Sequence, residues 1–186
     1  MNLIERAKNM IVTPKTEWDV VAGESDTLSS VLTSYVIWLA AIPAASSLIG
    51  SVLISKVVGM EFAIKTAIIV YVGAILSFVV ATYALDLLAE KFKSEKNLDK
   101  SAQLVAYAST ASWIAGVCNA LPIIGMLGSL AGGIYAIYLM YLGLGPMKKT
   151  PEDQKIIYMV IVFVVMIAVS VVVGSVLEMI LLAGSM

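Results

Sequence analysis

Charged side chains are absent from four stretches of the chain, residues 27–55, 66–85, 101–147 and 156–177. Each equals or exceeds the ~20 apolar residues that a helix needs to cross a ~30 Å hydrocarbon core, so each predicts a membrane span. The third stretch, 47 residues long, is too long for one helix. Leu121-Pro122 divides it, because proline can end one helix and open the next. The pattern predicts five spans, at about 28–54, 62–88, 101–121, 122–144 and 151–183.

The borders of these runs carry the local signals. Pro43 removes one hydrogen bond from the first span and predicts a kink near mid-depth. Glu61 and Lys65 open the second span in the favourable i, i+4 order, and Asp86 and Glu90 close it. Thr150-Pro151-Glu152-Asp153 supplies an N-cap, a proline at the first helical position and acids in the first turn, which starts the fifth span near Pro151. Ahead of the first span, Leu3, Ile4, Ala7, Met10 and Ile11 recur at helical spacing, with Glu5, Arg6, Lys8 and Asn9 assigned to the other face. Thr13-Pro14 stops this short amphipathic helix. Thr16 and Asp19 then open a second helical turn carrying Trp18, an aromatic that favours the headgroup zone. Both pieces are expected to lie on the membrane surface. The fold class is therefore all-α: a polytopic integral membrane protein with an interfacial segment, residues 1–26, and a five-helix membrane domain, residues 27–186.

Composition agrees with the pattern and narrows the chemistry. Sixty per cent of residues are hydrophobic and 13% charged, against about a quarter charged in ordinary globular domains. The net charge of −1 lacks the basic surplus of a nucleic-acid binder. Histidine is absent and Cys118 is the only cysteine, so zinc, iron–sulfur and haem sites and Cys/His nucleophiles lose their usual ligands and bases. No HExxH, P-loop or serine–base pairing is present. The expectation is a protein with no catalytic site, no metal and no cofactor. Glu5, Arg6 and Lys8 stand where a signal peptide would place its apolar run, so no cleavable leader is expected.

Basic residues predict the orientation. Arg6, Lys8 and Lys15 precede the first span, Lys91, Lys93, Lys96 and Lys100 lie between the second and third, and Lys148, Lys149 and Lys155 lie between the fourth and fifth. Those ten share one side, and Lys56 and Lys65 alone fall on the other, which predicts a cytoplasmic N-terminus and a far-side C-terminus.

A few positions carry polar chemistry at membrane depth. Asp86 lies about one turn from Glu90 and is expected at the cytoplasmic headgroups, with a polar interhelical contact as the alternative. Glu178 lies near the outer end of the fifth span, within reach of Lys56 or Lys65. Asn119, near the outer end of the third, is expected to bridge helices. Gly128 and Gly132 form a small-xxx-small pair, and the first span offers Ala40, Ala44, Ser47 and Ser51 at similar spacing; close packing within the bundle is expected, with a dimer interface as the alternative. Tyr135, Tyr138 and Tyr141 recur every three residues, with Tyr135 expected inside the bundle and Tyr141 in the aromatic belt. Cys118 is expected to be a small buried apolar residue.

Residues 106–158 resemble the Yip family of membrane proteins, named for interaction with Ypt/Rab GTPases, and most of all its prokaryotic branch. The resemblance is carried by Gly133, Tyr135, Tyr138, Tyr141, Leu142, Gly143 and Pro146, leading into the Lys-Thr-Pro-Glu turn at Lys149 to Glu152. The Thr-Pro-Lys-Thr-Glu-Trp run ending at Trp18 supports it. It implies a five-span bundle with a cytoplasmic N-terminus and no known enzymatic activity. Eukaryotic relatives take part in vesicle trafficking and bind Rab GTPases. Their long N-terminal region and Asp-Leu-Tyr-Gly-Pro motif are missing here, so Rab-type GTPase binding is not carried over.

The expected function is a non-enzymatic membrane scaffold or adaptor in a prokaryotic inner or plasma membrane. Its partners would be the lipid bilayer and a membrane protein or a second copy, met through the Leu3 to Ile11 face and the Tyr138 to Pro146 segment. The alternative is a small transporter or channel whose polar intramembrane cavity is lined by Asp86, Asn119, Tyr135 and Glu178.

Overall fold

The computed structural model describes residues 2–54 and 59–182; Lys56 and the predicted end of the last span at Ala183 lie outside the described residues. Within them the chain forms helices and no strand. A helical hairpin comes first, α1 (Leu3–Val12) and α2 (Pro14–Ala22). The Asn2 side chain accepts from the Ile4 amide at 3.1 Å to start α1. Pro14, free of an amide proton that would go unused, starts α2 two residues ahead of Thr16. The short α3 (Leu28–Val31) runs through a π-helical turn (Leu32–Val36) into α4 (Ile37–Ile54). Next come α5 (Met60–Leu88), α6 (Leu98–Ala108), α7 (Thr110–Ala115), α8 (Pro122–Lys148) and α9 (Glu152–Leu182).

Four helical stretches are long and apolar enough to cross a membrane: Leu28–Val52, Met60–Phe92, Ile123–Lys148 and Glu152–Ile180. The predicted crossing at 101–121 differs from expectation. It is three short pieces set end to end, α6, α7 and a 3-10 turn (Gly116–Ala120). Two local causes are visible. The Ser109 hydroxyl turns back onto the Val105 carbonyl at 2.7 Å, a bond that bends helices where it forms. Gly116 meets Pro43 of α4 so closely that a Cβ there would lie 2.6 Å from the Pro43 Cβ. Packing holds the broken segment in place: α8 runs beside all three pieces, α4 flanks the last two, and residues 101–108 of α6 are buried together. Gly116→Ala is therefore expected to cost about 1–3 kcal/mol by overpacking, read as a lower midpoint on thermal unfolding in detergent. An unchanged midpoint would mean that Pro43 can give way.

Two further boundaries move. The fourth span, expected to end near Leu144, continues through Pro146 to Lys148. It stops where Lys149 turns left-handed at φ 51°, and the Lys149 and Thr150 amides close the last turn on the Gly145 and Leu144 carbonyls at 2.9 and 3.2 Å. The last helix starts at Glu152, one residue beyond Pro151. Four long helices and one broken segment thus stand where five uninterrupted spans were expected, and α6, wrapped by α5, α8 and the N-terminal hairpin, forms the axis of the core.

Candidate functional site

Polar groups concentrate at one end of the bundle, where the hairpin, the α5–α6 loop and the α8–α9 turn meet. Both helices of the hairpin were expected on the membrane surface, with Trp18 in the headgroup zone. Within the chain, α1 and α2 dock against α6, α7 and α8, and Trp18 is 1% exposed, enclosed by protein. Gly143 makes room for it: a Cβ there would lie 2.8 Å from the Trp18 ring and 2.5 Å from Leu104 Cδ1. Tyr135 is half-buried and donates to the Ile11 carbonyl at 2.7 Å, fixing the end of α1. Lys100 caps the end of α2, donating to the Ala22 and Glu24 carbonyls at 2.8 and 2.6 Å. Asp99 accepts from the Leu28 amide at 2.8 Å where the first long helix begins.

Inside the hairpin Arg6 is buried at 4% exposure, not on the polar face. It donates to Glu17 Oε1 at 2.6 Å and to Glu24 Oε1, while Asn9 donates to Glu17 Oε2 at 3.1 Å. Its guanidinium also sits 5.2 Å over the Tyr107 ring. Tyr107 meets Tyr35 edge to face at 4.9 Å, and the Tyr35 hydroxyl pairs with Thr110 at 2.7 Å. Tyr35 lies within the π-helical turn, whose extra residue shifts the register of the side chains that follow.

A second buried charge cluster joins α5, α6 and α8. Lys148, fully buried, donates to Asp86 Oδ1 at 3.2 Å, to Ser101 Oγ at 2.6 Å and to the Asn97 carbonyl at 3.2 Å. Ser101 donates to the same Asp86 oxygen at 3.1 Å. Asp86, expected at the headgroups, is 8% exposed. A partner on α8 offsets the cost of burying its charge, which a helix-by-helix reading cannot see. Tyr158 of α9 donates to the Leu85 carbonyl and stacks on Phe92 at 4.7 Å, which brings the last helix into the same cluster.

The two basic loops are bonded to each other. Glu95 donates its amide to the Lys148 carbonyl at 2.7 Å, the Ser94 and Thr150 hydroxyls pair at 2.8 Å, and Lys149 bridges to Glu95 at 2.7 Å. The hydrogen bond from Lys149 holds the Glu95 carboxyl below the usual carboxylate range.

The remaining candidates are scattered. Tyr138 and Pro146 are exposed, and Tyr141 meets Glu152 at 3.4 Å with Lys155 5.5 Å over its ring. At the opposite end Asn119 accepts from Ser129 at 3.2 Å. Gly128 abuts half-buried Cys118, and Gly132 abuts Ala115 and Ala111. Glu178 is exposed on α9, and Lys65, its suggested partner, pairs with Glu61 at 2.7 Å. Asp86 and Tyr135 lie toward the polar end, and Asn119 and Glu178 lie away from it. A cleft of about 390 Å³ between α5, α9 and the α6–α7 break is lined by other residues, among them Ser77, Ser109, Ser112 and Ser170.

Sequence reasoning missed Arg6, Glu17, Glu24, Gln103 and Lys148. Arg6 had a signal: it stands three residues after Leu3 and four before Met10, on the apolar face of α1. Lys148 directly follows the 47-residue uncharged run, at the same kind of border as Asp86.

No curated protein and no solved structure matches the chain. The family model described as Yip1 domain matches residues 8–173, nearly the whole length, from α1 through most of α9. The run from Tyr135 to Glu152 and the Trp18 segment, which carry the sequence resemblance, are packed together at the polar end of one α-helical multi-pass bundle, and this chain belongs to the Yip1 domain family.

Proposed function

We propose that this protein is a non-enzymatic membrane scaffold whose working surface is the polar end of the bundle, turned to the cytoplasm. One observation carries the reading: the buried charges there are engaged by other segments of the same chain. Arg6 binds Glu17 and Glu24, and Lys148 binds Asp86 and Ser101. Pairs of this kind hold elements in place, which is a structural use of charge rather than the poised acid, base or nucleophile of a catalytic site. The cytoplasmic assignment is supported by the joining of the hairpin and both basic loops at one end, which gathers ten of the twelve basic residues there.

Docking of the hairpin changes where a membrane-protein partner or a second copy would touch. Ala7 and Met10 face inward, so contact falls to exposed Lys15, Lys91, Tyr138 and Pro146. A photo-crosslinking residue at each of these positions in cells is expected to capture a discrete partner or a second copy. Four clean negatives would remove the basis for the scaffold. The transporter reading keeps one supporting observation, the cleft at membrane depth in which Ser77, Ser109, Ser112 and Ser170 stand among largely apolar walls. Proteoliposomes are expected to stay tight to ions and small polar solutes; flux reduced by Ser77→Ala with Ser170→Ala would favour the transporter instead.

A further inference from the structure

The break between α6 and α7 leaves a space inside the apolar layer. α6 packs along α5, whereas past Ser109 the chain packs mainly on α4 and α8. Because α9 follows α5, the cleft of about 390 Å³ stays open between that helix pair and the broken segment. Ser77, on its wall, stands about 13 Å of helix ahead of the buried Asp86, so the cleft lies below the polar end. Gly73 and Gly174 line it from α5 and α9, and a Cβ at either position would meet nothing within 4 Å. Ser170 is exposed, which opens the space to the surrounding lipid.

The hydrogen-bonding capacity of its lining narrows the occupant. Four serines stand among apolar walls that include Phe78, Trp113 and Met166, and no charged side chain lines the cleft among the described residues. Ser109 donates to the Val105 carbonyl at 2.7 Å and Ser112 to the Gly132 carbonyl at 3.3 Å, which leaves both hydroxyl oxygens as acceptors. Ser77 and Ser170 pair at 3.3 Å, so one of their protons lies in that bond and the other has no acceptor among the described residues. The cleft therefore offers one donor and two acceptors, without charge. A phosphate or carboxylate would need several donors and a positive partner, and an ammonium would need a carboxylate. A hydroxyl donates once and accepts as well, which matches. A plain acyl chain would use the walls and leave the serines idle. An uncharged lipid with one free hydroxyl at its polar end uses both, and a phospholipid membrane supplies one when a phosphate headgroup is removed.

We infer that the cleft beside the α6–α7 break seats a diacylglycerol, its free hydroxyl among Ser77, Ser109, Ser112 and Ser170 and part of one acyl chain along the apolar walls. The test uses the purified full chain in phosphatidylcholine nanodiscs, photolabelled with a diacylglycerol that carries a diazirine in one acyl chain, with the labelled peptides mapped by mass spectrometry. Labelling is expected on α5 and α9 at the cleft. Unlabelled diacylglycerol should compete roughly fivefold better than its methyl ether, in which the hydroxyl is capped, as one neutral hydrogen bond is worth. Gly73→Leu and Gly174→Leu each place a side chain in the open space and replace a poor helix former, so both should fold and lose the labelling. Ser109→Ala with Ser112→Ala removes the acceptors and should bring the two competitors level; if it does not fold, the leucine variants and the competition on the native chain decide. Equal competition by the methyl ether, or labelling unchanged in the leucine variants, overturns the site. A single-chain alkanol competing as well as diacylglycerol overturns the assignment to that lipid.

Discussion

Asp86→Ala is expected to lower the stability of the bundle by about 3–5 kcal/mol, the usual consequence of removing one partner from a buried ion pair. Lys148 would keep only the Ser101 hydroxyl and the Asn97 carbonyl at 2.6 and 3.2 Å, and it is fully buried, so its charge has no route to water. Lys148→Met should cost a similar amount by leaving Asp86 behind. The informative variant is the pair: Asp86→Leu with Lys148→Met removes both charges, and replacing a buried pair by apolar residues of similar size is often neutral or better. Unfolding titrations in mixed micelles should therefore show two damaging single changes and a near-native double. Additive losses would mean that the two residues are not coupled.

Trp18→Ala is expected to be comparably damaging, at about 3–5 kcal/mol for a large aromatic cut from a packed site. Its effect should also be local. Trp18 sits against Tyr107, with ring centroids 6.5 Å apart, and against the surface left by Gly143, so its loss frees the hairpin from α6 and α8 before the membrane helices respond. Trypsin should then cut at exposed Lys15 much faster than in the native protein. Gly143→Leu should reproduce this from the opposite wall by filling the space the indole occupies. Ile4→Ala, at a position 71% exposed, serves as control and should stay within about 0.5 kcal/mol of native. A native cleavage rate in Trp18→Ala would remove the indole from its role as anchor.

The long uncharged runs announced the long helices, because hydropathy over some twenty residues leaves few alternatives in a chain this apolar. The same measure could not show that residues 98–120 break. A charge-free run reads alike whether it faces lipid or protein, and α6 faces protein on all sides from Ser101 to Ala108. Of the site, the tyrosine and glycine positions were legible and their uses were not. Gly143 looked like part of a contact face, yet it is covered by Trp18 from 125 positions earlier in the chain. Asp86 looked interfacial because its partner lies 62 residues away. Periodicity reports which face of one helix is apolar; it carries no information about which distant charge will meet it.

The anchoring of the hairpin also bears on how the protein is made. Tyr135 reaches back 124 residues to the Ile11 carbonyl, and the Gly143 notch that receives Trp18 is synthesised later still. At about 5–20 residues per second, the hairpin waits roughly 6–25 s after leaving the ribosome before its seat exists. During that interval Trp18, Met10 and the Arg6 cluster lack the walls that later enclose them. The part translated first can close only once α8 has been made, so its docking onto α8 reports that the segments lying between them in the chain are already in place.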